Sequence, residues 1–524
     1  MRIRFFVALI ALAMVGPAIA APPADLDRRI EELRRASELP GLAIAIVEDG
    51  RTTLARGYGI RKLGGKDPVD ADTIFMTGST GKAVTVAALA TLVDAGKIGW
   101  DDKVIDYLPG FQMYDPWVTR EMTIRDLLVH RSGLGLGAGD LMFVPRSNRT
   151  RANMLAGLRH IKPATSFRSG YAYDNILYTV AGALIEAVSG KSFEHYVRDQ
   201  VFKPAGLLTA TSDEPTRLAT ANRAYPHGRI SGAVRGLGPL QLLDETDQLG
   251  AASTPAGLLA MSANDLAKWL KIQLAQGRTE NGGRLFSEAS SAEMWNPQII
   301  EPISPVPPGF EATKPMFKTY ALGWEVADYG GARIISHSGG VFGFITMVVL
   351  IPEKDVGFAI TMNAEEGAVR RGLTYELLDH YLGRPHVDWV GRYKTLLNTM
   401  LSNAKKAVEA TAAAPAKVGP SLPLDRYAGQ YRDPWYGRIT VSPSKAGLTI
   451  NFNETPRMGG PLVHYQYDTF IVRFGDRNIE PAYVTFGLDA EGKVERITMK
   501  PVSPTADFSF DYQDLLFTPV KAAK

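Results

Sequence analysis

The sequence has 524 residues, a formal net charge of +3 and no cysteine. The absence of cysteine excludes disulfides, thiolate metal sites and a cysteine nucleophile. The near balance of charge gives no support for a nucleic-acid or anionic-membrane partner. The length suggests two or more domains, although one large α/β unit would account for most of it.

The start of the chain has the pattern of a secretory signal peptide. Arg2 and Arg4 precede an apolar run over residues 5–16, and an Ala-x-Ala sequence ends at Ala20. This pattern predicts a signal peptide over residues 1–20, cleaved after Ala20, and a periplasmic or secreted mature protein. The apolar run is too short for a stable membrane span, with an uncleaved anchor as the alternative. No other stretch predicts an integral membrane segment.

The large domain, predicted over residues 21–400, has strands at both ends and helices between them. An amphipathic helix near Leu26 is followed by "GLAIAIVEDG" and "TTLARGYGI", which predict paired strands. Helices are predicted to begin near Ser79 and Asn175. The later stretches "TYALGWEV", "ARIISH", "FGFITMVVLIP" and "VGFAITMN" predict successive antiparallel strands. The pattern indicates an α/β (α+β) domain.

The amino-acid composition changes near the end of the chain. Residues 401–423 are rich in Ala, Lys and Pro; the first half is compatible with a helix, whereas the prolines of the second half indicate a linker. After it, short runs of alternating apolar and polar residues lie between turn residues. These runs predict a small all-β domain over residues 424–524.

A serine and a lysine three residues apart provide the first candidate site. The stretch "MTGSTGKAVT" has some ingredients of a phosphate loop, but Met76 and Ala83 stand where that motif needs Gly and Ser or Thr. On a helix Lys82 would reach the Ser79 hydroxyl, and burial would lower the lysine pKa and so make it a base for that hydroxyl. The alternative is an N-cap serine beside a solvated lysine.

Two further stretches change the interpretation. "SGYAYDNILY" places Tyr173 two residues before Asn175, and "IISHSGGVFGF" places His337 two residues before Gly339. With Ser-x-x-Lys, these motifs resemble the serine β-lactamase-like hydrolases, which include class C β-lactamases, D-aminopeptidases, DD-peptidases and esterases. Members share Ser-x-x-Lys, then Tyr-x-Asn, then Lys/His-x-Gly; here the motifs follow in that order, separated by 94 and 164 residues. The resemblance extends over residues 25–382.

The resemblance implies a role for each motif residue. Ser79 would be the acyl-forming nucleophile and Lys82 its proton acceptor or electrostatic partner. Tyr173 would pass the proton to the leaving group, and Asn175 would hold Lys82 and a substrate carbonyl. The backbone N–H groups of Ser79 and Gly340 would form the oxyanion hole. The division of the base role between Lys82 and Tyr173 stays open.

The third motif departs from the pattern of β-lactamases, which usually have lysine where His337 stands. A histidine is largely neutral near pH 7, so this departure favours peptides, amides or esters over penicillins. His337, Gly339 and Gly340 are therefore candidate substrate-binding or oxyanion residues; the alternative for His337 is a packing role. His130 is interpreted as structural, and Asp174 is expected to point away from the site.

These observations predict a secreted serine hydrolase of the β-lactamase/transpeptidase-like fold with a lipocalin-like all-β tail. The expected reaction is cleavage of peptide or amide bonds, possible substrates being small peptides with D-residues or linearised cyclic peptides. The alternatives are an esterase or β-lactamase with the same site, and a penicillin-recognising protein that acylates without turnover. No cofactor or metal is expected, since the histidines lack metal-ligand spacing. The sequence leaves the oligomeric state open.

Overall fold

The structure is a computed structural model that describes residues 21–246, 248–413, 418–445 and 447–520. The predicted signal peptide, residues 1–20, lies outside the described residues. None of the helices in these ranges combines the length and the apolar character that a membrane crossing requires.

An antiparallel sheet of eight strands is the centre of the large domain. Its first strand, Gly41–Glu48, pairs with its last, Val356–Met362, so that the two ends of the domain meet in one sheet. In sheet order the strands are Arg51–Gly59, Gly41–Glu48, Val356–Met362, Phe344–Ile351, Ala332–Val341, Glu325–Tyr329, Lys318–Tyr320 and Ile299–Ile300.

Helices cover both faces of this sheet, as the all-buried strand Gly41–Glu48 requires. Alternate side chains of a strand point to opposite faces: Ile44 and Ile46 join one apolar cluster, whereas Ala43 and Ala45 join the other. The sheet and its helices confirm the predicted fold class. The α-helices are Leu26–Ala36, Lys82–Asp94, Val104–Tyr107, Pro116–Glu121, Ile124–Leu128, Arg151–Leu158, Ile176–Ser189, Phe193–Val197, Glu214–Ala219, Thr254–Gly257, Ala263–Leu274, Glu288–Met294, Gly367–Tyr381 and Trp389–Ala413.

A closed barrel of eight strands follows and confirms the predicted all-β tail. Each strand pairs with the next, and Tyr431 of the first strand pairs with Pro519 of the last. The strands are Gly429–Asp433, Gly437–Ser444, Gly447–Phe452, Gly459–Gln466, Thr469–Val472, Ala482–Leu488, Val494–Pro501 and Leu516–Pro519. The helix Trp389–Ala413 continues into the segment assigned to a linker. The boundaries 21–400, 401–423 and 424–524 stay predictions.

The barrel packs directly on the large domain. One apolar cluster contains core residues of both, such as Leu141 and Phe510. The Asn148 N–H donates to the Glu454 carbonyl at 3.1 Å, and the Arg149 guanidinium donates to the Tyr436 carbonyl and lies over its ring. The segment between the last two strands, residues 502–515 (the barrel loop), contacts the large domain at Gly139 and Tyr173.

Candidate active site

Ser79 lies in a tight turn between a short strand and a buried helix. The strand Phe75–Met76 pairs with Ala260–Met261, and the turn Gly78–Gly81 follows it. Gly78 has φ +54°, and a Cβ there would lie 2.4 Å from the Gly340 nitrogen. Only glycine fits such a place. The turn thus holds Ser79 against the strand that bears the third motif.

Lys82 is fully buried and donates to three acceptors. Its Nζ lies 2.9 Å from Ser79 Oγ, 2.7 Å from Asn175 Oδ1 and 2.9 Å from the Ala256 carbonyl. Burial lowers the pKa of Lys82 to about 7, with Asp140 and Asp174 acting in the opposite direction. The helix is capped at Gly81 without a side-chain cap, so Ser79 and Lys82 are not an N-cap and a solvated lysine.

Tyr173 lies beside the serine–lysine pair. Its ring centroid is 4.8 Å from Lys82 Nζ. Burial raises the pKa of Tyr173 well above its ordinary value of 10.0, while an interaction with the Ser79 hydroxyl acts in the other direction. The phenol is therefore protonated at neutral pH and is able to donate a proton.

Asn175 links the lysine to a buried carboxyl group. Its Oδ1 accepts from Lys82, and its Nδ2 donates to Asp140 Oδ2 at 2.8 Å. The residue precedes the helix Ile176–Ser189 and is almost entirely buried. Because both ends of the amide are engaged, Asn175 holds the lysine amine in place.

His337 is 3% exposed, and both of its ring nitrogens are hydrogen-bonded within the protein. Nδ1 donates to the Ser338 carbonyl at 2.7 Å, and Nε2 accepts from the Tyr320 hydroxyl at 2.8 Å. Burial lowers the pKa of His337 to about 4. The histidine is therefore neutral at pH 7 and supplies no fixed cation at this position.

The two glycines after His337 differ in their surroundings. A Cβ on Gly339 would lie 2.1 Å from the Thr77 carbonyl oxygen and 3.0 Å from the Ser79 nitrogen, whereas a Cβ on Gly340 would meet open space. The strand edge therefore lies against the nucleophile turn and brings the Gly340 nitrogen close to it. Gly257, which sequence reasoning missed, supports the turn from another side, since its Cβ would lie 2.5 Å from the Gly78 carbonyl.

His130 is fully buried and packs on Tyr173, with ring centroids 4.2 Å apart. Its Nδ1 accepts from the Asp174 N–H at 3.1 Å, so Nε2 bears the proton; that nitrogen has no hydrogen-bond partner in the described ranges. Tyr320, which no sequence signal identified, lies 4.6 Å from the His130 ring. The His130 ring thus contacts the rings of both Tyr173 and Tyr320.

Two carboxyl groups lie buried behind the motif residues. Asp174 accepts from the Ser132 hydroxyl at 3.2 Å, and Asp140 accepts from Asn175. Burial raises the pKa of each to about 7. The sequence did not identify Asp140, which lies in no motif. In the described part of the chain, no group of three or more His, Asp or Glu side chains is arranged to hold a metal ion.

Comparison with known proteins gives matches to both domains. The family model described as Beta-lactamase matches residues 26–382, and one described as a domain of unknown function (DUF3471) matches residues 413–519.

Among individual proteins, the chain is 30% identical over 426 residues to "Unguisins hydrolase ungD'" of Aspergillus campestris, a match covering 77% of this chain and 74% of that protein. It is 28% identical over 371 residues to "Penicillin-binding protein 4" of Amycolatopsis lactamdurans, a match that covers 69% of this chain and 89% of that protein. The fold is similar to that of the octameric penicillin-binding protein homologue from Pyrococcus abyssi, with a TM-score of 0.59 and 20% sequence identity. The match covers 91% of this chain and 97% of that chain.

Proposed function

The chain belongs to the β-lactamase family of serine hydrolases, and from this membership we propose that it cleaves peptide or amide bonds through an acyl-enzyme on Ser79. The observation that supports this most directly is the 2.9 Å contact between Ser79 Oγ and the buried Lys82 amine. A serine hydroxyl is a weak nucleophile unless a base stands beside it. An amine with a pKa of about 7 is such a base at neutral pH.

The reaction proceeds in two halves. Neutral Lys82 takes the Ser79 proton as Oγ bonds to the substrate carbonyl carbon, and the N–H groups of Ser79 and Gly340 donate hydrogen bonds to the developing oxyanion. Tyr173 protonates the leaving nitrogen and is reprotonated from Lys82, so that the C–N bond breaks and an ester on Ser79 remains. Water then attacks the ester, its proton returns to Ser79 Oγ, and the carboxylic acid leaves.

The proposed substrates are small peptides, including peptides with D-residues or linearised cyclic peptides. A neutral His337 offers no fixed charge to the carboxylate of a penicillin, which supports peptides, amides or esters. The similarity to a protein named as a hydrolase supports turnover.

A second candidate is a penicillin-recognising protein that acylates without turnover. The similarity to "Penicillin-binding protein 4" favours it. The two candidates differ in the fate of the acyl group, because a hydrolase regenerates Ser79 and a binding protein retains the adduct. The same site acting as an esterase or β-lactamase is the remaining alternative.

We also propose export, with cleavage after Ala20, on the pattern of residues 1–20. N-terminal sequencing of the protein recovered from the periplasm or medium tests this: a mature chain beginning at Ala21 is expected, and an intact start at Met1 would contradict it.

The test of function is a mixed panel of linear L- and D-peptides, a short-chain ester and a chromogenic cephalosporin. Ser79→Ala should lose turnover by on the order of 10⁴-fold or more. Ser444→Ala, an exposed serine on the barrel, is the control and should keep it. Mass spectrometry of the quenched protein reports whether an adduct persists.

Ser79-dependent peptide cleavage supports the proposal. Turnover of the ester or cephalosporin only would favour the alternative enzyme, and a stable adduct without product would favour the binding protein. Activity that survives Ser79→Ala would contradict the mechanism.

A further inference from the structure

The barrel loop, residues 502–515, contacts the segment of the large domain that bears Asp140. The Asp511 carboxylate accepts the N–H groups of Gly139 at 2.8 Å and Leu141 at 3.1 Å. The Phe508 ring packs edge-on against Tyr173, with centroids 5.9 Å apart. A segment far from the motifs in sequence therefore borders the catalytic residues.

Ser509 of this loop begins a chain of hydrogen bonds that ends at the nucleophile. Its Oγ donates to Asp140 Oδ2 at 2.7 Å, and the same oxygen accepts from Asn175 Nδ2 at 2.8 Å. Asn175 then accepts from Lys82, which contacts Ser79. Ser509 is 8% exposed, and Asp140 is fully buried.

The arrangement matters because the two ends of an asparagine amide have opposite hydrogen-bonding roles. Only the oxygen of Asn175 is able to accept from Lys82, so the nitrogen must face Asp140. Asp140 Oδ1 has no hydrogen-bond partner among the residues that the structure describes. The rotation of this carboxylate is thus set by the two donors on Oδ2, one of which is Ser509.

We propose that Ser509 is a positioning residue of the active site: its hydroxyl fixes the Asp140 carboxylate, which orients Asn175 so that Asn175 holds Lys82 beside Ser79. This inference rests on the proposed function of Ser79 and Lys82. Ser509 does not touch the substrate. Its effect is on the proton transfers through Lys82 in acylation and deacylation, and so on kcat, because the lysine is presented correctly only when the amide is held.

The first test compares Ser509→Thr with Ser509→Val, which are close in volume and differ in the hydroxyl. With the best substrate of the panel, Ser509→Val should lower kcat about tenfold with KM within about twofold, as expected for loss of one hydrogen bond to a buried carboxyl group. Ser509→Thr should recover most of the loss. Ser503→Ala, which removes a hydroxyl bonded to Thr505 in the same loop, is the control and should keep the wild-type kcat.

The second test asks whether Ser509 acts through Asp140. In an Asp140→Ala background, where the acceptor is gone, Ser509→Ala should cause no further loss of kcat. In an Asp140→Asn background, where a carbonyl oxygen is still able to accept, Ser509→Ala should still lower kcat. Double-mutant comparisons of this kind isolate the coupling of two side chains.

The outcomes separate the two proposals. Equal kcat for Ser509→Thr and Ser509→Val, or an equal loss from Ser509→Ala in all backgrounds, would overturn the positioning role. Loss of folding in both Ser509→Thr and Ser509→Val, seen as loss of the near-ultraviolet circular dichroism, would overturn it in favour of a structural role. If Ser79→Ala stays active in the same assay, the proposed function is wrong. If Ser79→Ala is inactive and Ser509→Val equals wild type, only the role of Ser509 is wrong.

Discussion

Lys82 shows how burial prepares one side chain for chemistry. In water its amine has a pKa of 10.5, and burial lowers this pKa to about 7. Asp140 and Asp174 act in the opposite direction, while the rings around the amine contribute no charge at neutral pH, since His130 and His337 have lowered pKa values and Tyr173 and Tyr178 raised ones. The lysine is thus able to change its protonation near neutrality.

This balance predicts the pH dependence of the reaction. As the pH rises through about 7, the neutral fraction of Lys82 grows, so kcat/KM should increase. Asp140→Asn removes a carboxylate that raises the lysine pKa, and should move the midpoint of this increase to lower pH. Rates of acylation measured from about pH 5 to 9 check the prediction. A profile that falls across this window, or a midpoint that moves upward in Asp140→Asn, would contradict it.

His337 predicts an effect on stability. Its pKa is about 4 in the folded protein and ordinarily 6.5, so the unfolded chain binds more protons between these values. The neutral histidine makes its full contribution to the free energy of unfolding above about pH 6.5. As the pH falls through 4, this contribution decreases by up to about 3 kcal/mol. Urea unfolding should show that His337→Gln loses less stability than wild type over this window. Equal losses in both proteins would show that His337 does not have this depressed pKa.

At the scale of elements, the candidate site depends on a direct backbone contact between the turn Gly78–Gly81 and the strand Ala332–Val341. Gly78 and Gly257 on one side and Gly339 on the other allow this approach, since a Cβ at each would lie within 2.6 Å of a backbone atom. A backbone shift of the strand is therefore expected to move the proposed oxyanion hole.

Gly339→Ala should therefore destabilise the fold by about 2 kcal/mol or more and lower activity by at least a hundredfold. Gly340→Ala is the matched control for stability, because its Cβ would enter open space on the same strand, and its melting temperature should stay close to that of wild type. Thermal unfolding and assays of both variants check this. A Gly339→Ala protein as stable and active as wild type would show that the contact is looser than described.

The motif residues were predictable because each belongs to a short pattern with its own chemistry. Ser79 and Lys82 share one turn of backbone, and Tyr173 and Asn175 precede one helix, so local spacing sufficed. The strands of the large domain were predictable as apolar runs between turn residues, and those of the tail from the alternation of apolar and polar residues. Asp140, Gly257 and Ser509 were not predictable, because each acts on a partner distant in sequence and lies in no recognisable pattern. The assigned roles of the motif residues stay predictions.

At the scale of the molecule, the hydrolase domain and the barrel share a core. The apolar cluster runs through both, and polar contacts at Asn148, Arg149 and Asp511 hold the same interface. Domains joined this way are expected to unfold together, unlike domains joined by a linker alone.

Calorimetry should therefore show one unfolding transition for the whole chain. Arg149→Ala removes a half-buried guanidinium that contacts Tyr436 of the barrel, and should lower the melting temperature and separate barrel unfolding from that of the large domain. Arg159→Ala, an exposed arginine nearby, should leave the single transition in place. Two transitions in the wild-type protein would contradict the prediction.

The position of Ser509 along the chain has a consequence for synthesis. Asp140 and Ser509 are 369 positions apart. All three motifs, including Ser79 and Lys82, are therefore synthesised well before Ser509. A nascent or prematurely terminated chain that ends before residue 502 contains Ser79 and Lys82 without the hydroxyl that we propose positions them. On the proposed role of Ser509, we therefore expect low activity until the barrel has been made and has folded onto the large domain.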